Sequence, residues 1–307
     1  MNTLLSFVLG TRPEIIKLAP ILRRIIDRGI PFQLIHTNQH YDHAMDGVFF
    51  DELKLPLPHH QFHVASPSTS IFLSNVLHGL DRAWAMNRPS VVIAQGDTNT
   101  VLAASIAAEK SGLPFAHVEA GLRSDDRTMP EEINRILADH IGARLYAPTE
   151  HQVKRLTSEG IAEERILLTG NTILDAVLEH LPLSLVAKLP DALQTLSKKY
   201  ALLTLHRPAL VDHPELLKCV LLQIEDALQE SRIQGVFLAH PRTKKTLEAL
   251  HFSSPSLLVY EPIGYLSLLR LLSHAQLVIT DSGGLQEETA ILNVRCITLR
   301  TTTERPE

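Results

Sequence analysis

Short apolar runs alternate with longer segments of helical period along nearly the whole chain. LLSFVLG (Leu4–Gly10) reads as a strand, and EIIKLAPILRRIIDRG reads as an amphipathic helix closed by Gly29. FQLIHT and VVIAQ (Val91–Gln95) are strands; NTVLAASIAAEKSG is a helix closed by Gly112, and PFAHVEA, RLYAPT and RILLTG are further strands. A second series follows: YALLTLH, a helix from about Pro214, GVFLAH, SLLVYEP, a helix over Tyr265–Ser273, LVITD, a helix from Gly284, and RCITLR. Strand–helix alternation of this kind predicts parallel sheets covered by helices on both faces, an α/β chain of Rossmann-like domains.

The alternation pauses between about Thr172 and Lys199, where a helix (ILDAVLEHL) is followed by the proline-marked stretch LPLSLVAKLPD. The linker is expected there, between a first domain over residues 1–172 and a second over 173–307. A length of 307 residues suits two domains of roughly 150 residues each. The last residues, TLRTTTERPE, stop just after a strand, so the second domain is expected to be incomplete at its C-terminus.

The composition removes several classes of function. A net charge of −5 implies no general basic face for nucleic acid, so any cationic site must be local. No apolar run approaches membrane-spanning length, and the N-terminus lacks the pattern of a signal peptide, so a cytoplasmic protein without membrane partners is expected. Cys219 and Cys296 lie apart in apolar segments and read as buried small hydrophobes rather than a disulfide. His36, His40 and His43 come near metal-ligand spacing, but without an H-E-x-x-H pair or a Cys/His set no metal is expected.

Unusual residues cluster where strands end, the place at which parallel sheets bind ligands. In GTRPE (Gly10–Glu14), Thr11 and Glu14 have capping-box spacing and Pro13 suits a first helical turn. Arg12 and Lys17 are cations near a helix N-terminus, where a bound anion such as phosphate would remove the conflict. In QGDTNT, Asp97 could carry chemistry, but the local pattern favours a cap on the next helix. HVEAGLRSDDRTMPEEINR (His117–Arg135) holds five carboxylates and three arginines. In TDSGGLQEE, Ser282, Gly283 and Gly284 offer backbone N–H groups to an anion, and Glu287 and Glu288 could complement the helix dipole. His206 and His240 stand at strand ends of the second series.

Taken in order, GTRPEIIK, TNQHYD, QGDTNT, HVEAGLRS, MPEEINR, GNTILDAV, LTLHRP, HPRTKK, TDSGGLQEE and RTTTERPE resemble the non-hydrolysing UDP-N-acetylglucosamine 2-epimerases across essentially the whole chain. The resemblance implies the glycosyltransferase-B fold, two Rossmann-like domains facing a cleft that holds the nucleotide sugar, and commonly a homodimer. It implies Asp97, Glu119 and Glu131 as catalytic acids, with His206 beside the leaving diphosphate. Arg12, Lys17, His240, Ser282, Gly283, Gly284 and Arg305 would contact UDP, and Glu288 the ribose. Gln39 and His40 match a region that contacts an activating second sugar nucleotide in bacterial members. No cofactor is implied. Asp125, Asp126, Arg127 and Glu132 are expected to form a solvated or salt-bridged rim, and Arg123 and Arg135 to orient the acids.

The expected reaction is C2 inversion of the UDP-sugar by loss and re-addition of UDP. Three departures stand out: HRPAL replaces the usual HRxEN, Leu268 replaces an aromatic against the base, and Asn38 replaces a small residue. Three other readings remain open on sequence. They are a hydrolysing 2-epimerase, a glycosyltransferase of the same fold, and an inactive truncated nucleotide-sugar binder.

Overall fold

A computed structural model describes residues 3–38, 43–64, 66, 68–196 and 199–305. It divides into two compact units, one running to Ala176 and the other covering Val177–Arg305.

The first unit contains β1 (Leu5–Leu9), α1 (Arg12–Asp27), β2 (Phe32–His36), α2 (His43–Glu52), β3 (His60–Gln61), α3 (Thr69–Met86) and β4 (Val91–Gln95). It continues with α4 (Asn99–Lys110), β5 (Phe115–Val118), α5 (Pro130–Ile141), β6 (Arg144–Ala147), α6 (Glu150–Ser158) and β7 (Ile166–Leu168), and enters α7 (Thr172–Val186). The strands form one parallel sheet in the order β3-β2-β1-β4-β5-β6-β7. The order reverses between β1 and β4, so the chain leaves these neighbouring strands in opposite directions and opens a crevice at their carboxyl ends. Val8, Ile35, Val92, Ala94 and Phe115 of the sheet are buried in one core with Trp84 of α3 and the small-residue face of α4.

The second unit adds α8 (Asp191–Gln194), β8 (Tyr200–Thr204), α9 (Pro208–Val211), α10 (Pro214–Glu230), β9 (Gln234–Leu238), α11 (Pro241–Ala249) and β10 (Leu257–Tyr260). It ends with α12 (Tyr265–His274), β11 (Leu277–Thr280), α13 (Gly283–Ile291) and β12 (Cys296–Thr298). Its parallel sheet has the order β10-β9-β8-β11-β12, again reversing beside its first strand. Among the described residues, no helix is long and apolar enough to cross a membrane.

Several local expectations change. The stretch LPLSLV is helical: α7 runs through Pro182, and the unit boundary falls inside that helix, within the expected Thr172–Lys199. Proline removes one backbone donor there, but Ile173, Ala176, Val177, His180 and Ser184 are buried along the helix and hold it on both sides of the break. Both cysteines are exposed, not buried. Cys219 is off the buried stripe of Leu217, Leu221, Glu225 and Leu228 on α10, and Cys296 is on an edge strand. An apolar sequence neighbourhood does not place a side chain when helical phase or a sheet edge turns it outward.

Gly121, in the turn after β5, has φ +87°, and a Cβ there would lie 2.8 Å from the Gln152 carbonyl oxygen. Gly121→Ala is therefore expected to destabilise the protein by about 1–3 kcal/mol, a fall of several degrees in the thermal midpoint followed by circular dichroism. Gly112→Ala is the control, with a similar φ of +63° and no neighbour within 4 Å, and it should cost less.

Candidate active site

At the reversal of the first sheet, the carboxyl ends of β1, β4 and β5 bring Gly10–Glu14, Gly96–Thr98 and Glu119 into one hydrogen-bonded group. Glu14 fastens it. Its Oε2 accepts from the Gly10 N–H at 2.8 Å, the Thr11 N–H at 2.7 Å and the Thr11 hydroxyl at 2.9 Å, while Oε1 accepts from the Thr98 hydroxyl at 2.7 Å. The capping box expected at α1 thus also ties β1 to the loop after β4. Burial pushes the Glu14 carboxyl up to about 7, against those four hydrogen bonds, which favour the ionised form.

Lys17 is buried and ion-paired with Glu119, its Nζ lying 2.7 and 2.9 Å from the two carboxylate oxygens. Gln95 also donates to this carboxylate. The anion that Lys17 demands is therefore supplied by the protein. Glu119 is held in the left-handed region, with φ +69°. Arg12 stacks over the Phe49 ring, 5.4 Å from its centroid.

Asp97 does not cap α4. Thr98 is the cap, its hydroxyl accepting from the Val101 N–H at 3.3 Å. Asp97 instead meets the buried Arg135 at 2.5 Å, and the same guanidinium reaches Glu132 at 2.9 Å. Glu132 is buried rather than solvated, and also accepts from Ser124 N–H and hydroxyl at 3.0 Å each and from Asp125 N–H at 2.9 Å. Its neighbour Glu131 is exposed in the first turn of α5. Asp125 pairs with Arg155, and Asp126 accepts from Thr128, so the expected rim is present around them.

Behind this group lies a buried network that motif reading did not single out. His117 joins Asp139 and the Gly96 carbonyl, each at 2.7 Å. Asp139 also holds Arg123 at 2.7 Å, and Arg123 continues to Glu159 at 2.6 Å. Arg123 therefore does not contact the candidate acids directly. The signal lay in the one-turn offset that puts Arg135 and Asp139 on one face of α5.

In the second unit, Asp281 at the end of β11 organises the loop after β8. Its carboxylate accepts from the His206 N–H at 2.9 Å and the Arg207 N–H at 2.8 Å, and lies 2.9 Å from His206 Nδ1. Burial would raise the Asp281 carboxyl, but His206 and these backbone donors outweigh it and hold it below its usual value. The His206 ring stays exposed, 6.3 Å from the His240 ring between centroids. His240 caps α11, accepting from the Arg242 N–H at 3.3 Å.

Ser282 is the N-cap of α13 and its N–H donates to the Thr280 hydroxyl at 2.9 Å. A side chain at Gly283 would collide with the Glu304 carboxylate and the Arg305 guanidinium, so the TER segment folds against this helix start. Arg305 pairs with Glu304 and, at 2.8 Å, with Glu287; Arg300 reaches Glu304 at 2.5 Å. Burial would raise the Glu304 carboxyl, yet Arg300 and Arg305 hold it down at about 2. Glu288 is buried, and together with burial itself it raises the nearby Tyr265 hydroxyl. Leu268 packs half-buried against the core. Gln39 and His40 lie outside the described residues. Among the described residues no cluster of His, Cys, Asp and Glu could hold a metal ion.

The model of the UDP-N-acetylglucosamine 2-epimerase family matches residues 24–307. The chain belongs to that family. It is similar to the UDP-N-acetylglucosamine 2-epimerase of Methanocaldococcus jannaschii, 46% identical over 99% of this chain and 85% of that protein. The crystal structure of the Methanocaldococcus jannaschii enzyme in complex with UDP-GlcNAc and UDP superposes with a TM-score of 0.93 at 45% identity, covering 99% of this chain and 86% of that one. The UDP-2,3-diacetamido-2,3-dideoxy-D-glucuronate 2-epimerase of Pseudomonas aeruginosa is 34% identical over 97% of this chain and 83% of that protein. The chain is accordingly an epimerase-family enzyme with two Rossmann-like units.

The buried ion pair gives a direct test. Lys17→Met leaves Glu119 without its counter-charge and is expected to cost about 3–5 kcal/mol, read from urea unfolding. Adding Glu119→Gln to that variant should recover most of the loss, because the uncompensated charge is then gone.

Proposed function

We propose that this chain interconverts UDP-N-acetylglucosamine and UDP-N-acetylmannosamine by elimination and re-addition of UDP, as a non-hydrolysing 2-epimerase. The observation that carries the reading is the gathering of Asp97, Glu119 and their buried cations at the reversal of the first sheet. The 46% identity to an enzyme named for this substrate supports it.

Reaction chemistry fits this equipment. The C2 proton has no adjacent carbonyl to acidify it. As the C1–O bond to UDP lengthens, oxocarbenium character at C1 acidifies C2–H. A carboxylate takes that proton, the C2–H electron pair forms the C1–C2 double bond, and UDP leaves with the C1–O pair. The intermediate is 2-acetamidoglucal. A carboxylic acid then protonates C2 from the opposite face while a phosphate oxygen of UDP returns to C1. Such a sequence needs one group to accept a proton, one to donate it, and a cradle for a diphosphate. No oxidant is consumed.

In this assignment Asp97, Glu119 and Glu131 serve the sugar. Lys17 balances the charge of Glu119, and Arg135 orients Asp97. Arg12, His206, His240, the Ser282–Gly284 turn and Arg305 serve the diphosphate, and Glu288 the ribose. The exposed ring of His206, with Asp281 at its Nδ1, suits proton donation to the leaving phosphate. Arg305 carries two carboxylate partners, so its turn towards a phosphate exchanges one anion for another.

Proton NMR of the protein with UDP-N-acetylglucosamine in deuterated water tests the reading. UDP-N-acetylmannosamine carrying deuterium at C2 is the expected product, and Asp97→Asn should slow its appearance by at least about 100-fold. Free N-acetylmannosamine with UDP would assign the hydrolysing branch instead. Binding without turnover, together with turnover of a 2,3-diacetamido glucuronate nucleotide, would move the substrate towards that of the Pseudomonas aeruginosa relative.

A further inference from the structure

His117 is fully buried on β5, two residues before Glu119. Its Nε2 lies 2.7 Å from the Gly96 carbonyl oxygen. That oxygen can only accept, so Nε2 carries a proton. Its Nδ1 lies 2.7 Å from Asp139 Oδ1. The same carboxylate receives the Arg123 guanidinium at 2.7 Å and the Gly121 N–H at 3.1 Å, which favour its ionised form. An ionised carboxylate is also an acceptor only, so Nδ1 is protonated as well. Both ring nitrogens donate, and the ring is an imidazolium.

These bonds end on the two segments that carry the candidate acids. Gly96 immediately precedes Asp97 and has φ +87°. Gly121 follows Glu119 by two residues, and its N–H is held by the carboxylate that holds His117. Neutral imidazole has one N–H. Losing the other sets a ring lone pair against an oxygen at 2.7 Å, either the Gly96 carbonyl or Asp139. The contact then has to open, and a backbone segment bearing an acid shifts with it.

We propose that His117 is a positioning residue for the epimerase reaction, a buried imidazolium that fixes the backbone supporting Asp97 and Glu119. The proposal rests on the functional reading above. His117 acts through Gly96 and Asp139, not on the sugar. The charged groups around it are Asp139 of α5, Glu119 and Arg123 of the segment after β5, and Lys17 of α1, which balances Glu119. Phe115 stacks on the ring and is uncharged. Burial works against the imidazolium, but Asp139, the Gly96 carbonyl and Glu119 outweigh it and raise the group above its ordinary value. That ordinary value is about 6.5. A raised folded-state value means that the clamp is complete below about 6.5 and is lost as pH climbs through the raised value. The activity it supports should fall on the alkaline side.

The test combines ring NMR with kinetics on the full chain. Nitrogen-15 spectra of the wild-type protein at neutral pH should show N–H signals on both His117 nitrogens. His117→Gln should lower kcat by about 10–100-fold, change KM by less than about threefold, and remove the alkaline fall controlled by this ring. Asp139→Asn, which keeps the side-chain volume, should move that fall to lower pH. A singly protonated ring at neutral pH would overturn the proposal. So would a His117→Gln enzyme with wild-type kcat and an unchanged alkaline limb. If the wild type fails to epimerise UDP-N-acetylglucosamine, the functional reading fails separately. His117 is then judged by its ring protonation and by whether His117→Gln shifts the carbon-13 titration curves of Asp97 and Glu119. Unmoved curves would sink the positioning role.

Discussion

A parallel sheet whose strand order reverses cannot fill the carboxyl ends of the two strands at the reversal. Here that happens between β1 and β4 and again between β8 and β11. Backbone groups freed at these ends need partners, and the chain supplies acids. Glu14 closes the first reversal by accepting from both of its loops. Asp281 does the same work at the second, accepting from the His206 and Arg207 N–H groups. Each crevice is closed by one buried carboxylate with several donors, which offset part of the cost of burying it.

Other acids at the first reversal meet buried cations. Lys17 answers Glu119, Arg135 answers Asp97 and Glu132, and Arg123 answers Asp139. Such pairs add little net stability, because desolvation offsets much of the Coulombic gain. They do fix geometry: removing either partner strands a charge. Acids held this way cannot wander, and fixed geometry of this kind is what positions groups for chemistry. At the start of α13 the answering charge is Glu304, a carboxylate of the chain itself, beside Gly283. A helix start that offers N–H groups to anions thus has an internal anion at hand.

Much of this was legible beforehand. Strand–helix alternation predicted parallel sheets because strands covered on both faces need continuous apolar runs. The Thr11–Glu14 spacing announced a capping box, and Ser282 a helix start. Glu119 is named as an acid by the family resemblance. The rest was hidden for identifiable reasons. Arg135 is expected to orient an acid, but that the acid is Asp97, 38 residues away, shows in no local pattern. Glu131 and Glu132 are adjacent, and only the phase of α5 sends Glu132 inwards and leaves Glu131 exposed. Pro182 suggested a break, but buried neighbours on both sides carry α7 through it. His117 carries no mark of its own in the sequence, because its partners Gly96 and Asp139 come from other segments of the chain.

Periodicity and residue type set the order of strands and helices and the acids and cations available, whereas the cap of α4 falls on Thr98 rather than on Asp97. The tertiary structure decided which charge faces which. Ion pairing depends on distances of a few ångströms between residues far apart in the chain, and those distances exist only once the sheet has brought β1, β4 and β5 side by side.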